Sequence, residues 1–184
     1  MIRNLSRFIV VLAAALIIPS CIPVDDFGAY WDKAVVDAHL LGSWTQVPAR
    51  PDQTRERGYA IGRIMRIGEK DGAYQIVEED NHQFAPERSL PVGKYQFLAF
   101  PGKNGYIMRY KLRQNVLEFC FQNGPNLVDF VESNYPRVVN LKRNRAEGKY
   151  MTIALFDDEV FDVLAHIPDT DSFWVCDERF ERTR

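Results

Sequence analysis

Apolar residues are arranged along this chain in three ways, and each predicts a different kind of element. The first is an unbroken apolar run from Phe8 to Ile18, preceded by Arg3 and Arg7 and followed by Pro19, Ser20 and Cys21. The second is strand-like. Tyr106, Met108, Tyr110 and Leu112 alternate with Ile107, Arg109 and Lys111, whereas Tyr95 to Phe100 and Leu117 to Phe121 are apolar on both faces. Alternation with period two marks a half-buried strand, and a continuous apolar run marks one covered on both sides. The third is helix-like: Tyr30, Ala34, Ala38 and Leu41 recur at helical spacing, as do Leu127, Phe130 and Val131 before Pro136. Val160, Val163, Leu164 and Ile167 form a similar stripe before Pro168, with Asp157 placed as its N-cap and Asp158 and Glu159 in its first turn.

Turn chemistry orders these runs. Lys70-Asp71-Gly72 and Lys103-Asn104-Gly105 each separate two apolar runs, and Asp-Gly and Asn-Gly accept the positive φ angles of tight hairpins. Gln114-Asn115 separates a third pair. The pattern predicts strands at 43–48, 59–68, 73–79, 94–100, 105–113, 116–122, 138–143, 149–155 and 172–181, with residues 80–93 as one long irregular loop containing His82, Pro86 and Pro91. Strands covered on both faces are expected where a sheet curls into a barrel and helices cover part of its outside. The expected fold is therefore mainly β, an antiparallel meander closing into a barrel, with two or three short helices. A barrel of this size is filled by side chains or holds one small ligand, and a filled interior is the favoured expectation.

The N-terminal run changes the picture of where the protein resides. Its eleven apolar residues rise only about 16 Å as a helix, against the ~30 Å of hydrocarbon that a membrane span must cross. A basic n-region, a short apolar core and a small residue before a break are the layout of a secretory signal peptide. Ile18-Pro19-Ser20-Cys21 resembles the lipobox of bacterial lipoproteins, in which an aliphatic residue stands three before the cysteine and a small residue directly before it; Pro19 departs from the usual middle residue. The resemblance implies that Cys21 carries diacylglycerol, that the chain is cut before it, and that its new amino group is acylated. Residues 1–20 are then a signal peptide, 21–29 a lipidated tether and 30–184 a single domain. Three acyl chains, at ~0.8 kcal/mol per buried methylene, hold a protein on a membrane essentially permanently. Ile22 rather than Asp after the cysteine implies the periplasmic side of the outer membrane, where the source has two membranes.

Charge fits an anchor made of lipid rather than of protein surface. The whole chain has 23 basic and 25 acidic side chains. Removing residues 1–20 takes away Arg3 and Arg7 and no acid, leaving 21 basic side chains and a formal charge of −4. Such a domain is not drawn to anionic lipid, and no nucleic acid is expected as a partner.

Leu40-Leu41-Gly42-Ser43-Trp44 resembles the Gly-x-Trp opening of lipocalin and calycin barrels. The resemblance implies that Trp44 closes one barrel end and that an Arg of the last strand, Arg179 or Arg182, packs on its face, with Arg182 the expected partner. The C-terminal order of strand, capped helix and strand ending in Phe180-Glu181-Arg182 is also similar to small uncharacterised bacterial lipoproteins with a Leu-Gly-x-Trp start.

Candidate chemistry is sparse. His39, His82 and His166 are scattered, Asp169 and Asp171 lack the glycine of a calcium loop, and there is no His-Glu-x-x-His, Cys-x-x-Cys or Gly-x-Ser-x-Gly. No catalytic residue, metal or cofactor is expected. Glu78-Glu79-Asp80 reads as a solvated loop leaving a strand, and Arg137, Lys142, Arg143, Arg145 and Lys149 as a solvated strand end and hairpin. Once Cys21 is lipidated, Cys120 and Cys176 remain, either as the disulfide of an exported protein or as two separately buried thiols. The function expected is that of a non-enzymatic, lipid-anchored envelope protein that binds a small apolar ligand or a protein partner. The alternative is a barrel lipoprotein that inhibits an envelope hydrolase through the loop at 80–93.

Overall fold

The computed structural model describes residues 22–23, 28–55, 60–78, 87–100, 106–135, 143–144, 149–150 and 159–183. Its strands are β1 (Ile22–Pro23), β2 (Gly42–Val47), β3 (Ile64–Lys70), β4 (Ala73–Glu78), β5 (Arg88–Val92), β6 (Tyr95–Phe100), β7 (Tyr106–Arg113), β8 (Val116–Gln122), β9 (Arg143–Asn144), β10 (Lys149–Tyr150) and β11 (Trp174–Arg182). Two short α-helices are described, α1 (Gly124–Asn134) and α2 (Glu159–His166). The main sheet is antiparallel and runs β4-β3-β2-β11-β8-β7-β6-β5, with β1 paired to β7. Nearly every neighbour in the sheet is a neighbour in sequence, so the fold is a meander that β11 joins between β2 and β8. The sheet curls until its two edges meet: Tyr74 of β4 donates its N–H to the carbonyl of Glu87, just before β5, at 2.7 Å. The result is a barrel-like β fold.

Tight turns make this local order possible. Asp71 and Gly72 take φ of 55° and 73°, the two left-handed residues that a hairpin turn between β3 and β4 needs. Between β7 and β8 it is Gln114 that turns left-handed. Residues 101–105, with the Asn104-Gly105 turn, lie outside the described residues.

Two apolar layers result from the period-two alternation. Inside the curled sheet, Trp44, Met65, Ile67, Ile76, Leu98, Leu117, Phe119 and Phe180 form one cluster. Outside it, Tyr95, Phe97, Ala99 and Ile107 of β6 and β7 pack under Leu127 and Val131 of α1 and Phe161, Val163 and Leu164 of α2. This is why β6 is apolar from Phe97 to Phe100: its alternate residues serve different layers. Arg109 also points to the outer layer and is only 3% exposed. Its guanidinium lies between the rings of Tyr95 and Trp174, 4.1 Å and 4.6 Å from their centroids, and donates to Asp169 at 2.7 Å. The two ring faces and Asp169 balance the charge of this buried cation, while its Nε and Nη1 have no hydrogen-bond partner among the described residues.

Several expectations are corrected. The segment expected as a helix over 30–41 is instead two 3₁₀ turns, Gly28–Lys33 and Ala38–Leu40. Between them Val35 exchanges backbone hydrogen bonds with Ser89 at 2.8 Å and 2.7 Å, so tertiary pairing takes the groups that a continuous helix would use. The loop expected over 80–93 contains a strand, β5, whose Pro91 sits opposite Gln96. Proline is tolerated there because β5 has a ladder partner on one side only. β3 starts at Ile64 rather than 59. Asp157 and Asp158 lie outside the described residues, as do most of 138–143 and 149–155, of which the β9–β10 pair is described.

Candidate functional site

One end of the barrel is plugged. Trp44, at the start of β2, is fully buried and donates its indole N–H to the carbonyl of Leu40 at 2.8 Å. Arg182, at the end of β11, stands opposite Trp44 in the β2–β11 ladder and places its guanidinium 4.3 Å from the centre of the Trp44 ring. It also donates to the carbonyls of Leu41, at 2.7 Å, and His39. Gly42 explains the glycine of the Leu-Gly-x-Trp run. A Cβ there would stand 2.7 Å from Arg182 Nη1, and its φ of +133° is one that other residues rarely adopt. The structure thus brings Trp44 and Arg182 together, while Arg179 instead faces Glu118 and Glu181.

The other end is open inside. A cavity of about 310 Å³ lies among the opposite ends of the same strands. Met65, Ile76, Leu98, Met108, Phe119 and Phe180 supply its apolar wall, and Phe100, Tyr106 and Phe121 complete it. The rings of Phe100 and Tyr106 are stacked at 4.2 Å. The interior is therefore filled at the Trp44 end and hollow at the other, where a filled barrel was the favoured expectation.

Four charged side chains also line this cavity: Arg63, Glu78, Glu87 and Glu178. Glu78 is not the solvated loop acid expected from its sequence neighbours. It belongs to β4 and accepts from Arg63 Nη1 at 2.9 Å, with its side chain 13% exposed. Glu79 and Asp80 lie outside the described residues. Glu87 is 0% exposed, and neither of its carboxyl oxygens has a hydrogen-bond partner among the described residues. Burial pushes its pKa up to about 8, so the group is mostly protonated at neutral pH. The carboxyl of Glu178 is also raised by burial, with Arg63 pulling it down and Glu78 and Asp177 adding to the rise.

Glu178 faces the cavity because of a bulge. Val175 pairs with Phe121 and Glu178 with Phe119, so β11 spends three residues where β8 spends two. The extra residue reverses the alternation. Trp174 and Cys176 face the outer layer, and Glu178, Phe180 and Arg182 face inward. Buried Gln53 pins the bulge, donating to the carbonyl of Asp177 at 3.1 Å and accepting from the N–H of Ala49 at 2.7 Å. An uninterrupted strand would have pointed Glu178 into the helix layer.

The remaining expected residues fall as follows. Cys120 of β8 and Cys176 of the bulge form a disulfide. Cys21 and His82 lie outside the described residues. His39 and His166 are exposed, each beside an aspartate of its own segment. Among the described residues no group of His, Cys, Asp and Glu is arranged to hold a metal ion. The signal that sequence reading missed is Glu87. One acid after a proline carries no pattern; only the closing of the sheet edge beside it shows its burial.

Compared with protein-family models, curated proteins and solved structures, the chain matches none of them.

Proposed function

We propose that this chain is a non-enzymatic, lipid-anchored protein of the cell envelope that holds a small, largely apolar ligand inside a calycin-like barrel. The observation that carries the reading is the cavity of about 310 Å³, apolar over most of its wall and plugged at one end by Trp44. Small-molecule pockets run from about 300 to 1,000 Å³, mostly apolar with a few placed polar groups. At a share of roughly 30 Å³ per water, this one suits a ligand of about ten non-hydrogen atoms. The test is titration with an environment-sensitive apolar fluorophore of about that size. One site per chain is expected, and Met108→Trp, which fills the cavity with a ring where a flexible side chain stood, weakens binding about tenfold or more. Binding that is indifferent to Met108→Trp places the probe elsewhere and defeats the reading.

The anchor is Cys21. It is supported by the Phe8 to Ile18 run and the Ile18 to Cys21 motif. The Cys120–Cys176 disulfide also fits a compartment outside the reducing cytosol. Growth with an alkyne-bearing fatty acid is expected to label the wild-type protein, and Cys21→Ala to lose both the label and the membrane fraction. An unlabelled wild-type protein removes the lipid from the account. The inhibitor reading is weaker, because β5 takes residues 88–92 out of the loop on which it depends.

A further inference from the structure

The carboxyl groups in the cavity say more about the ligand than its apolar wall does. Among the charged residues lining it, three are carboxyls and one is a guanidinium, whose Nη1 is held by Glu78 and whose buried Nε has no hydrogen-bond partner among the described residues. Glu87 stands fully buried at the wall with two unpartnered oxygens. A buried polar group without a partner costs free energy, and native structures rarely leave one so unless something else satisfies it. An anionic head group would bring a fourth acid beside three, in surroundings where charges are poorly screened. A cationic head group supplies the charge and the donors that are missing.

We infer that the ligand is a small amphiphilic amine, its ammonium seated against Glu87 and Glu178 and its apolar body against Leu98, Met108, Phe119 and Phe180. The inference rests on the proposal that the cavity holds a ligand, and it narrows that ligand's chemical class. Fatty acids, the simplest apolar guess, become poor candidates. An ammonium offers three donors, enough for both carboxyls; Glu87, whose oxygens have no accessible surface, has to turn toward the cavity to meet it. No bond is made or broken. Glu87 gives up its proton to solvent when the ammonium enters, and the two then form a buried ion pair.

Three probes of equal chain length separate the outcomes: octylamine, octanol and octanoate, each titrated calorimetrically into the mature chain and into Glu87→Gln. In the wild type, octylamine is expected to bind at least about tenfold more tightly than octanol, with octanoate weakest. Glu87→Gln is expected to bring octylamine down to the level of octanol and to leave octanol unchanged. Octylamine binding near neutral pH should also release a proton, seen as a dependence of the heat on the buffer's ionisation enthalpy. The groups facing Glu87 and Glu178 that share this titration are Arg63, Glu78 and Asp177. The comparison within the wild type needs no variant, so it stands even if Glu87→Gln were to unfold. Equal binding of amine and alcohol, or tighter binding of octanoate, overturns the amine and leaves an apolar site. An amine preference that survives in a folded Glu87→Gln also overturns it, as attraction to an acidic surface. If neither these probes nor the larger fluorophore bind, the ligand-binding proposal beneath it falls as well.

Discussion

Glu87→Gln is expected to abolish a fall in stability of about 4 to 5 kcal/mol that the wild-type protein undergoes as pH rises from about 4.5 to about 8. The sign follows from the burial of Glu87. Its carboxyl has an ordinary pKa near 4.5 in the unfolded chain and about 8 in the folded one. Between those values the folded state holds a proton that the unfolded state has released, so raising the pH favours unfolding. Below the lower value both states are protonated, and above the upper one both are ionised; the loss is complete there. Glutamine has nearly the shape of the neutral acid and does not titrate. Glu178, raised in the same direction by burial, adds a smaller fall of its own. Asp169 opposes it. Burial pushes Asp169 up, but Arg109 and Lys111 outweigh that and hold it below the usual range, so its contribution is lost on acidification. Both backgrounds cancel when the two proteins are compared. Urea unfolding at about pH 5 and about pH 9 should give nearly equal stabilities at the lower pH and a variant more stable by several kcal/mol at the higher. Parallel pH profiles would show that Glu87 finds solvent or a partner and would also weaken the amine inference.

Breaking the Cys120–Cys176 disulfide carries the second large effect. The bridge closes a loop spanning 56 positions of sequence separation. On the chain-entropy model that constraint on the unfolded chain is worth roughly 4 kcal/mol. The double variant Cys120→Ala, Cys176→Ala is expected to lose about that much in urea unfolding, with a small added penalty because Cys120 is buried in the outer cluster. Reduction of the wild type should lower the midpoint similarly. The effect should reach the site, because Cys176 lies in the bulge that turns Glu178 inward. Probe affinity in the cavity is thus expected to weaken on reduction even at temperatures where the fold survives. An unfolding midpoint insensitive to reductant would mean that the two strands are held by their ladder alone.

How far the chain could be read in advance depended on the range of the forces involved. The strands that became β4, β6, β7 and β8 are visible as alternating or continuous apolar runs because each is bounded by local turn chemistry, such as the left-handed Asp71-Gly72 pair. The outer helices are visible as stripes for the same reason. β5 is hidden, since Pro91 and the loop-like residues before it outvote Leu90 and Val92. Its strand form depends on partners contributed by β6 and by Val35. The segment over 30–41 has helical spacing, but its backbone finds those distant partners first.

Glu78 and Glu87 show the same limit from the side of the site. Next to Glu79 and Asp80, Glu78 has every mark of a solvent-facing acid, and only Arg63, fifteen positions earlier, draws it inward. Glu178 owes its inward direction to one extra residue in β11, which no composition or spacing announces.

Sequence alone determined the β meander, its hairpins, the Gly42 to Trp44 opening and the residues Cys120 and Cys176 as a possible pair, because propensity, alternation and turn geometry act over a few neighbouring residues. The resemblance already pointed to Arg182 rather than Arg179 against Trp44, and the tertiary structure fixed that contact; it alone decided that the two cysteines are bonded and that the far end of the barrel is hollow with Glu87 buried in it. Those outcomes depend on how a curled sheet brings together strands far apart in the chain, and on the loss of water that follows when its edges meet.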